Sequence, residues 1–129
     1  MTMTHPVANR NAIVDLIVDK CDEGSDNAAG ALVIMDSDSN TLVTHDLSNP
    51  AFGDAASGQA TADTITDATV STSGTAAKFE LQDRDRDTVA SGTITVSGGG
   101  GDIEAGGATL AMTAGQTSSI SSLIYNGPA

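Results

Sequence analysis

Aromatic side chains are nearly missing from this chain. Phe52, Phe79 and Tyr125 are the only ones in 129 residues, and tryptophan is absent. The core must therefore be assembled from Ala, Val, Ile and Leu. At roughly 25 cal/mol per Å2 of apolar area removed from water, such small side chains give a thin core. Ordering the backbone costs on the order of 1–2 kcal/mol per residue, and the 14 glycines raise that cost. Marginal stability of a lone subunit follows, so a small homo-oligomer, most simply a trimer, is expected. The same scarcity disfavours a carbohydrate-binding module, because sugar sites usually stack a ring on an aromatic side chain.

Positive charge is equally scarce. Five Lys and Arg face 17 Asp and Glu, for a formal net charge of −12. Nucleic-acid binding needs basic side chains to displace phosphate counterions, and an anionic membrane surface attracts the same groups. Neither partner fits this chain. Cys21 is the single cysteine, which excludes an intramolecular disulfide. Long apolar runs are lacking as well. The stretch Ala12 to Val18 is interrupted by Asp15 and followed by Asp19 and Lys20, too short and too charged to span a bilayer or to serve as a signal-peptide core. The expectation is a protein made in a cytosol-like compartment that stays there, or leaves by another route such as inside a particle released by lysis.

What is present reads as one domain. Residues 1–6 form a loose N-terminal arm. Residues 7–23 read as the one helix, with Ile13, Leu16, Ile17 and Cys21 at helical spacing and expected to face a sheet, and with Val14 and Val18 widening that stripe. Pro6 suits its first turn and Gly24 its C-terminal cap. Residues 24–129 read as strands: ALVIM and TLVTHDL around SDSN, the weak strands QATADTIT and ATVS, the alternating AAKFELQ, then TVASGTITV. After a Gly-rich break at 97–101 come DIEA, TLAMT and SSISSLIY, with Ala114-Gly115-Gln116 turning the last pair. The fold class is mainly β: an antiparallel β-sandwich or jelly-roll-like barrel of seven to nine short strands with one N-terminal α-helix.

Few residues look chemical. Asp36-x-Asp38-x-Asn40 and Asp83-x-Asp85-x-Asp87 match the first half of an EF-hand loop and are the metal-site candidates. The second half fails in both. Thr41 or Thr88 stands where glycine makes the sharp turn, and Leu47 or Ile94 where a bidentate glutamate is needed. Asp and Asn side chains bond nearby backbone groups in turns, so polar hairpin tips explain both segments without an ion. The segments echo each other as strand, Asp-x-Asp-x-Asn/Asp-Thr, strand, the same solution reached for two hairpins. His45, beside Asp46, reads as a surface strand histidine; with one of many serines it would evoke acyl transfer, but no nucleophile-elbow motif accompanies it. Cys21 reads as a packed thiol, and Gly98–Gly101 as a loop, since it lacks the Gly-Lys-Ser/Thr of a phosphate cradle. No cofactor is called for, and no enzymatic activity is expected.

Three stretches taken in order, NPAFGDAASGQATADTIT (49–66), SGTAAKFELQDRDRDTVASG (73–92) and AGQTSSISSLIY (114–125), resemble a family of small structural proteins of tailed bacteriophages. The likeness spans roughly residues 9–125. It implies a virion protein, made in the host cytoplasm, with the major capsid protein or another virion protein as partner. A capsid decoration (cement) protein on the capsid exterior is the favoured role. A tail, collar or head-fibre component is the alternative, followed by a host-surface carbohydrate- or cation-binding module. This chain reads Asp85-Arg86-Asp87-Thr88 where relatives often have Asp-Gly-Thr, a change that suits a solvent-facing tip. Partner contact is expected from His5 and Pro6 on the arm and from Phe52, whose other reading is a plug for the end of the sandwich.

Overall fold

The computed structural model describes residues 4–96, 103–105, 110–120 and 123–126. It is mainly β with one N-terminal helix, as expected. Helix α1 spans Val7–Asp19 and runs on into one 3-10 turn, Lys20–Asp22. Pro6 is its N-cap; the Pro6 carbonyl accepts from the amides of Asn9 and Arg10, each at 3.0 Å. Eleven strands follow: β1 (Ala31–Met35), β2 (Thr41–Asp46), β3 (Gln59–Thr61), β4 (Ala68–Thr69), β5 (Gly74–Thr75), β6 (Lys78–Gln82), β7 (Thr88–Val96), β8 (Ile103–Ala105), β9 (Ala111–Met112), β10 (Thr117–Ser118) and β11 (Ile124–Asn126).

One five-stranded sheet, in the order β2-β1-β6-β7-β8, dominates. Its first four strands are antiparallel, and β8 joins β7 in parallel. The other strands form three two-stranded ribbons, β10-β4, β11-β3 and β5-β9. The sequence suggested fewer strands because several of these pairings are only two residues long. The Ala114-Gly115-Gln116 turn also differs from expectation. It forms, with Gly115 at φ +90°, but β9 and β10 pair with β5 and β4 instead of with each other.

Four strands of the sheet form two similar hairpins set side by side. β1 and β6 are both five residues long and pair antiparallel from Ala31↔Gln82 to Met35↔Lys78, centred on Val33↔Glu80. Each leads into a partner strand across a bulge, at Ile34/Met35 and at Leu81/Gln82. Because β1 and β6 run in opposite directions, the two tips lie at opposite ends of the sheet. β1 is an interior strand and wholly buried, whereas β6 alternates, with Phe79 and Leu81 turned inward.

One cluster forms the core. The inward sheet residues Leu32, Ile34, Val43, Phe79, Leu81 and Ile94 meet Val14, Val18 and Cys21 of the helical segment and Ala60, Val70, Ala76 and Leu123 from the rest of the chain. The expected helix face is corrected in part. Val14, Val18 and Cys21 point inward as expected, while Ile13 is 36% and Leu16 62% exposed. The helix has β3 and β11 as its main strand neighbours.

Candidate functional site

Helix orientation follows from polar residues that look solvent-facing in the sequence. Asn11, Asp15 and Asp22 recur at helical spacing beside the Val14, Val18 and Cys21 stripe. They accept from three amides of the loop between β2 and β3: Gly58 to Asn11 Oδ1, Ala55 to Asp15 Oδ1 and Ala51 to Asp22 Oδ1, each at 2.8 Å. Charge-assisted bonds to backbone N–H groups are among the stronger ones, so this polar stripe directs the helix inward as much as its aliphatics do. The loop ties down Ala51 and Phe52. Phe52 is 4% exposed and bridges Ala62. It belongs to the core cluster, and its ring is buried in the subunit instead of being exposed for partner contact. His5 and Pro6 lie just ahead of the helix, where Pro6 is exposed and His5 partly buried.

The two Asp-rich segments are hairpin tips that share the same amide-to-aspartate bonds, and the first adds Asn40 Nδ2 donating to Asp36 Oδ2 at 3.0 Å. In each, the first aspartate Oδ1 accepts the amides two and four residues on, all at 2.9 Å: Asp38 and Asn40 to Asp36, Asp85 and Asp87 to Asp83. The fourth residue takes the left-handed conformation, Ser39 at φ 68° and Arg86 at φ 69°. Local side-chain bonds of this kind favour turns. Among the described residues, no group of three or more His, Cys, Asp or Glu is placed to hold a metal ion.

Their surroundings differ, and the solvent-facing expectation for the second tip is corrected. Tip 83–87 docks on the segment after the helix. Asp85 Oδ1 accepts from the amides of Ser25 (2.8 Å) and Asp26 (3.0 Å). Arg84 Nε donates to Asn27 O at 2.7 Å, Asn27 Nδ2 returns a bond to Arg84 O at 2.7 Å, and Arg86 Nη1 donates to Ala29 O at 3.1 Å. Arg86 also pairs with Asp46 at 3.5 Å. The arginines are backbone clamps. Two glycines permit this closeness. A Cβ on Gly24, which sits at φ +110°, would lie 2.7 Å from Asp85 Cγ; one on Gly30 would lie 2.5 Å from the Gln82 carbonyl oxygen and 2.6 Å from that of Cys21.

Asp85 gives this dock a pH dependence. The Ser25 amide, then that of Asp26, holds its carboxyl below the ordinary carboxylate range, and Arg84 adds to the effect. A lowered acid stabilises the fold above its unfolded pKa, near 4, and that contribution fades as pH falls through the folded value. Wild type is therefore expected to melt higher than Asp85→Asn at neutral pH, with the two melting curves converging below about pH 4. A gap that stayed constant down to pH 2 would show that the carboxylate does not hold the tip.

His45 is also corrected. It is fully buried, with Nδ1 2.8 Å from Thr66 O and Nε2 2.9 Å from Ser118 Oγ. A carbonyl only accepts, so Nδ1 carries a proton and donates to Thr66 O, while Nε2 and the Ser118 hydroxyl share the second bond. Asp46, its sequence neighbour, is exposed and paired with Arg86. The ring thus joins β2, the Thr66 segment and β10. A serine beside a histidine resembles half of an acyl-transfer site, but the orienting group is a neutral carbonyl in place of a carboxylate. Comparison with known proteins supplies no template. No family model, no curated protein and no solved structure matches this chain.

Cys21 is buried, and desolvation, followed by the charges of Asp22 and Asp83, pushes its thiol up to about 12. At neutral pH it is a packed thiol, because the thiolate is the nucleophile. Sequence reasoning missed Asn11, Asp15 and Asp22, the Arg84 and Arg86 clamps, and Ser118. The helical spacing of the first three was the available signal. The remaining partners are brought together only by the tertiary fold. Gly98–Gly101 lies outside the described residues.

Proposed function

We propose that this chain is a non-enzymatic structural protein of a tailed-bacteriophage virion, most simply a capsid decoration protein on the outer face of the major capsid lattice. The observation that carries the reading is where the resembling segments fall in the fold. Stretch 49–66 supplies Ala51, Phe52, Ala60 and Ile65 to the core, 73–92 supplies Ala76, Phe79 and Leu81, and 114–125 supplies Leu123 and the Ser118 that meets His45. The stretches that carry the likeness thus hold core positions of this chain as well as turns. A core of small aliphatics supports assembly as a homo-oligomer, with a trimer the simplest form. A net charge of −12 calls for a partner that offers basic or apolar ground.

Quantitative mass spectrometry of purified particles, with a virion map, tests the proposal. The expected result is a copy number proportional to that of the major capsid protein, with density on the capsid exterior. A few copies at the tail or collar would favour the alternative role. Absence from particles would remove the virion reading.

A further inference from the structure

The dominant sheet covers one of its edges and leaves the other bare. Along β2, the Leu42 carbonyl accepts from the amides of Ser71 (2.8 Å) and Thr72 (3.4 Å), and the Asp46 carbonyl from that of Thr66 (3.0 Å). Segment 66–72 thus closes that edge. At the opposite edge β8 pairs with β7 only over Ile94–Val96, although β7 begins at Thr88. The run Thr88–Gly92 therefore has β6 on one side and, among the described residues, no strand on the other.

Register decides which backbone groups face out there. The Ile94 amide donates to the Ala77 carbonyl at 2.9 Å, and bonded and non-bonded pairs alternate along an antiparallel ladder. On that alternation Gly92, opposite Phe79, and Ala90, opposite Leu81, bond to β6, whereas Ser91, opposite Glu80, turns its N–H and C=O outward. Ser91 is exposed. Sheet edges are ordinarily guarded by charge, proline or a bulge, because a bare ladder pairs with a strand that reaches it. The bulge at Leu81/Gln82 disturbs only the start of this run. No proline and no charged residue occurs from Thr88 through Gly101.

Charge and length select the occupant. The chain carries −12, so two copies that meet elsewhere tend to set acids against acids. The uncharged run is its own complement. Antiparallel about a two-fold axis at Ser91, the N–H and C=O of each copy's Ser91 would bond their counterparts, and no like charges would face each other within the run. Because β8 takes up the edge from Ile94 onward, only a short strand fits, and the run itself is one.

We propose that the outer edge of β7 at Thr88–Gly92 is a self-pairing site, through which two copies of this chain join their sheets edge to edge. The inference rests on the homo-oligomer reading above and alters its symmetry, since an edge closed upon itself gives a pair in place of a trimer.

Sedimentation velocity over a concentration series tests it, with amide hydrogen exchange followed by NMR on the same intact chain. The expected result is a monomer–dimer equilibrium in which the Ser91 amide exchanges freely at dilution and becomes protected as dimer forms. The Ala90 and Gly92 amides, bonded to β6, are expected to be protected throughout. Ser91→Pro removes the outward N–H, a change that an edge strand tolerates. It is expected to weaken the dimer at least about tenfold, the scale of losing central ladder bonds, while the dilute protein keeps its circular dichroism spectrum. Protection of Ser91 where only monomer sediments would mean that the chain covers its own edge, and would overturn the proposal. So would an oligomer in which Ser91 stays unprotected, or one indifferent to Ser91→Pro; both leave the homo-oligomer reading standing. A monomer at every concentration would remove both. Exchange in the wild type decides the matter whether or not Ser91→Pro folds.

Discussion

Leu32→Ala is expected to cost about 2–5 kcal/mol of unfolding free energy, whereas Leu16→Ala is expected to change it by less than about 0.5 kcal/mol. The two leucines look alike in sequence, each inside an apolar run. Leu32 is fully buried in β1, an interior strand, among the inward side chains of the sheet. Removing it leaves a cavity that β2 and β6, hydrogen-bonded on either side, prevent from collapsing. Leu16 is mostly exposed and lies outside the core cluster, so truncation removes little buried area. Urea denaturation followed by circular dichroism measures both. Equal losses would mean that the helix is seated with its other face inward.

The second large effect concerns His45. His45→Leu keeps a side chain of similar bulk but strips both partners, leaving the Thr66 carbonyl and the Ser118 hydroxyl unmatched in a part-buried place. An orphaned polar group costs about 1–3 kcal/mol, so a loss of about 2–4 kcal/mol is expected. Ser118→Ala removes one bond and should cost less. The pair is read as a cross-brace, so a fluorophosphonate probe for serine nucleophiles is expected to leave Ser118 unmodified in the native protein. Stoichiometric labelling of Ser118 that disappears in His45→Leu would turn the brace into a reactive site.

The parts of this fold legible in the sequence were those decided locally. ALVIM and TVASGTITV have the bounds that their composition suggested, because β-branched runs between turn formers need no distant partner to be recognised. The two Asp-x-Asp segments are the turns their side-chain chemistry predicts. What escaped was every feature that depends on a partner far along the chain. Leu16 and Ile13 are more hydrophobic than Asn11 and Asp15, so a periodicity argument adds them to the inward Val14, Val18 and Cys21; the amides of Ala55 and Gly58, which hold the polar flank against the loop instead, are invisible until the loop is folded back. His45 was misplaced for the same reason. An imidazole in a strand reads as a surface residue unless a hydroxyl more than seventy positions away is known to meet it.

The paired hairpins carry a practical consequence. Their backbones are interchangeable, yet one tip, 36–40, makes most of its polar contacts within itself, with Lys78 reaching Ser39 from outside, and the other is bolted to the segment behind the helix. The molecule thus contains its own matched control. An epitope tag or fluorophore spliced at Ser37 would ride outward on an unaltered scaffold, while the same graft at Arg84 would pry the helical segment from the sheet. Anyone wishing to label this protein has one handle that the fold leaves free and a twin of it that must be left alone.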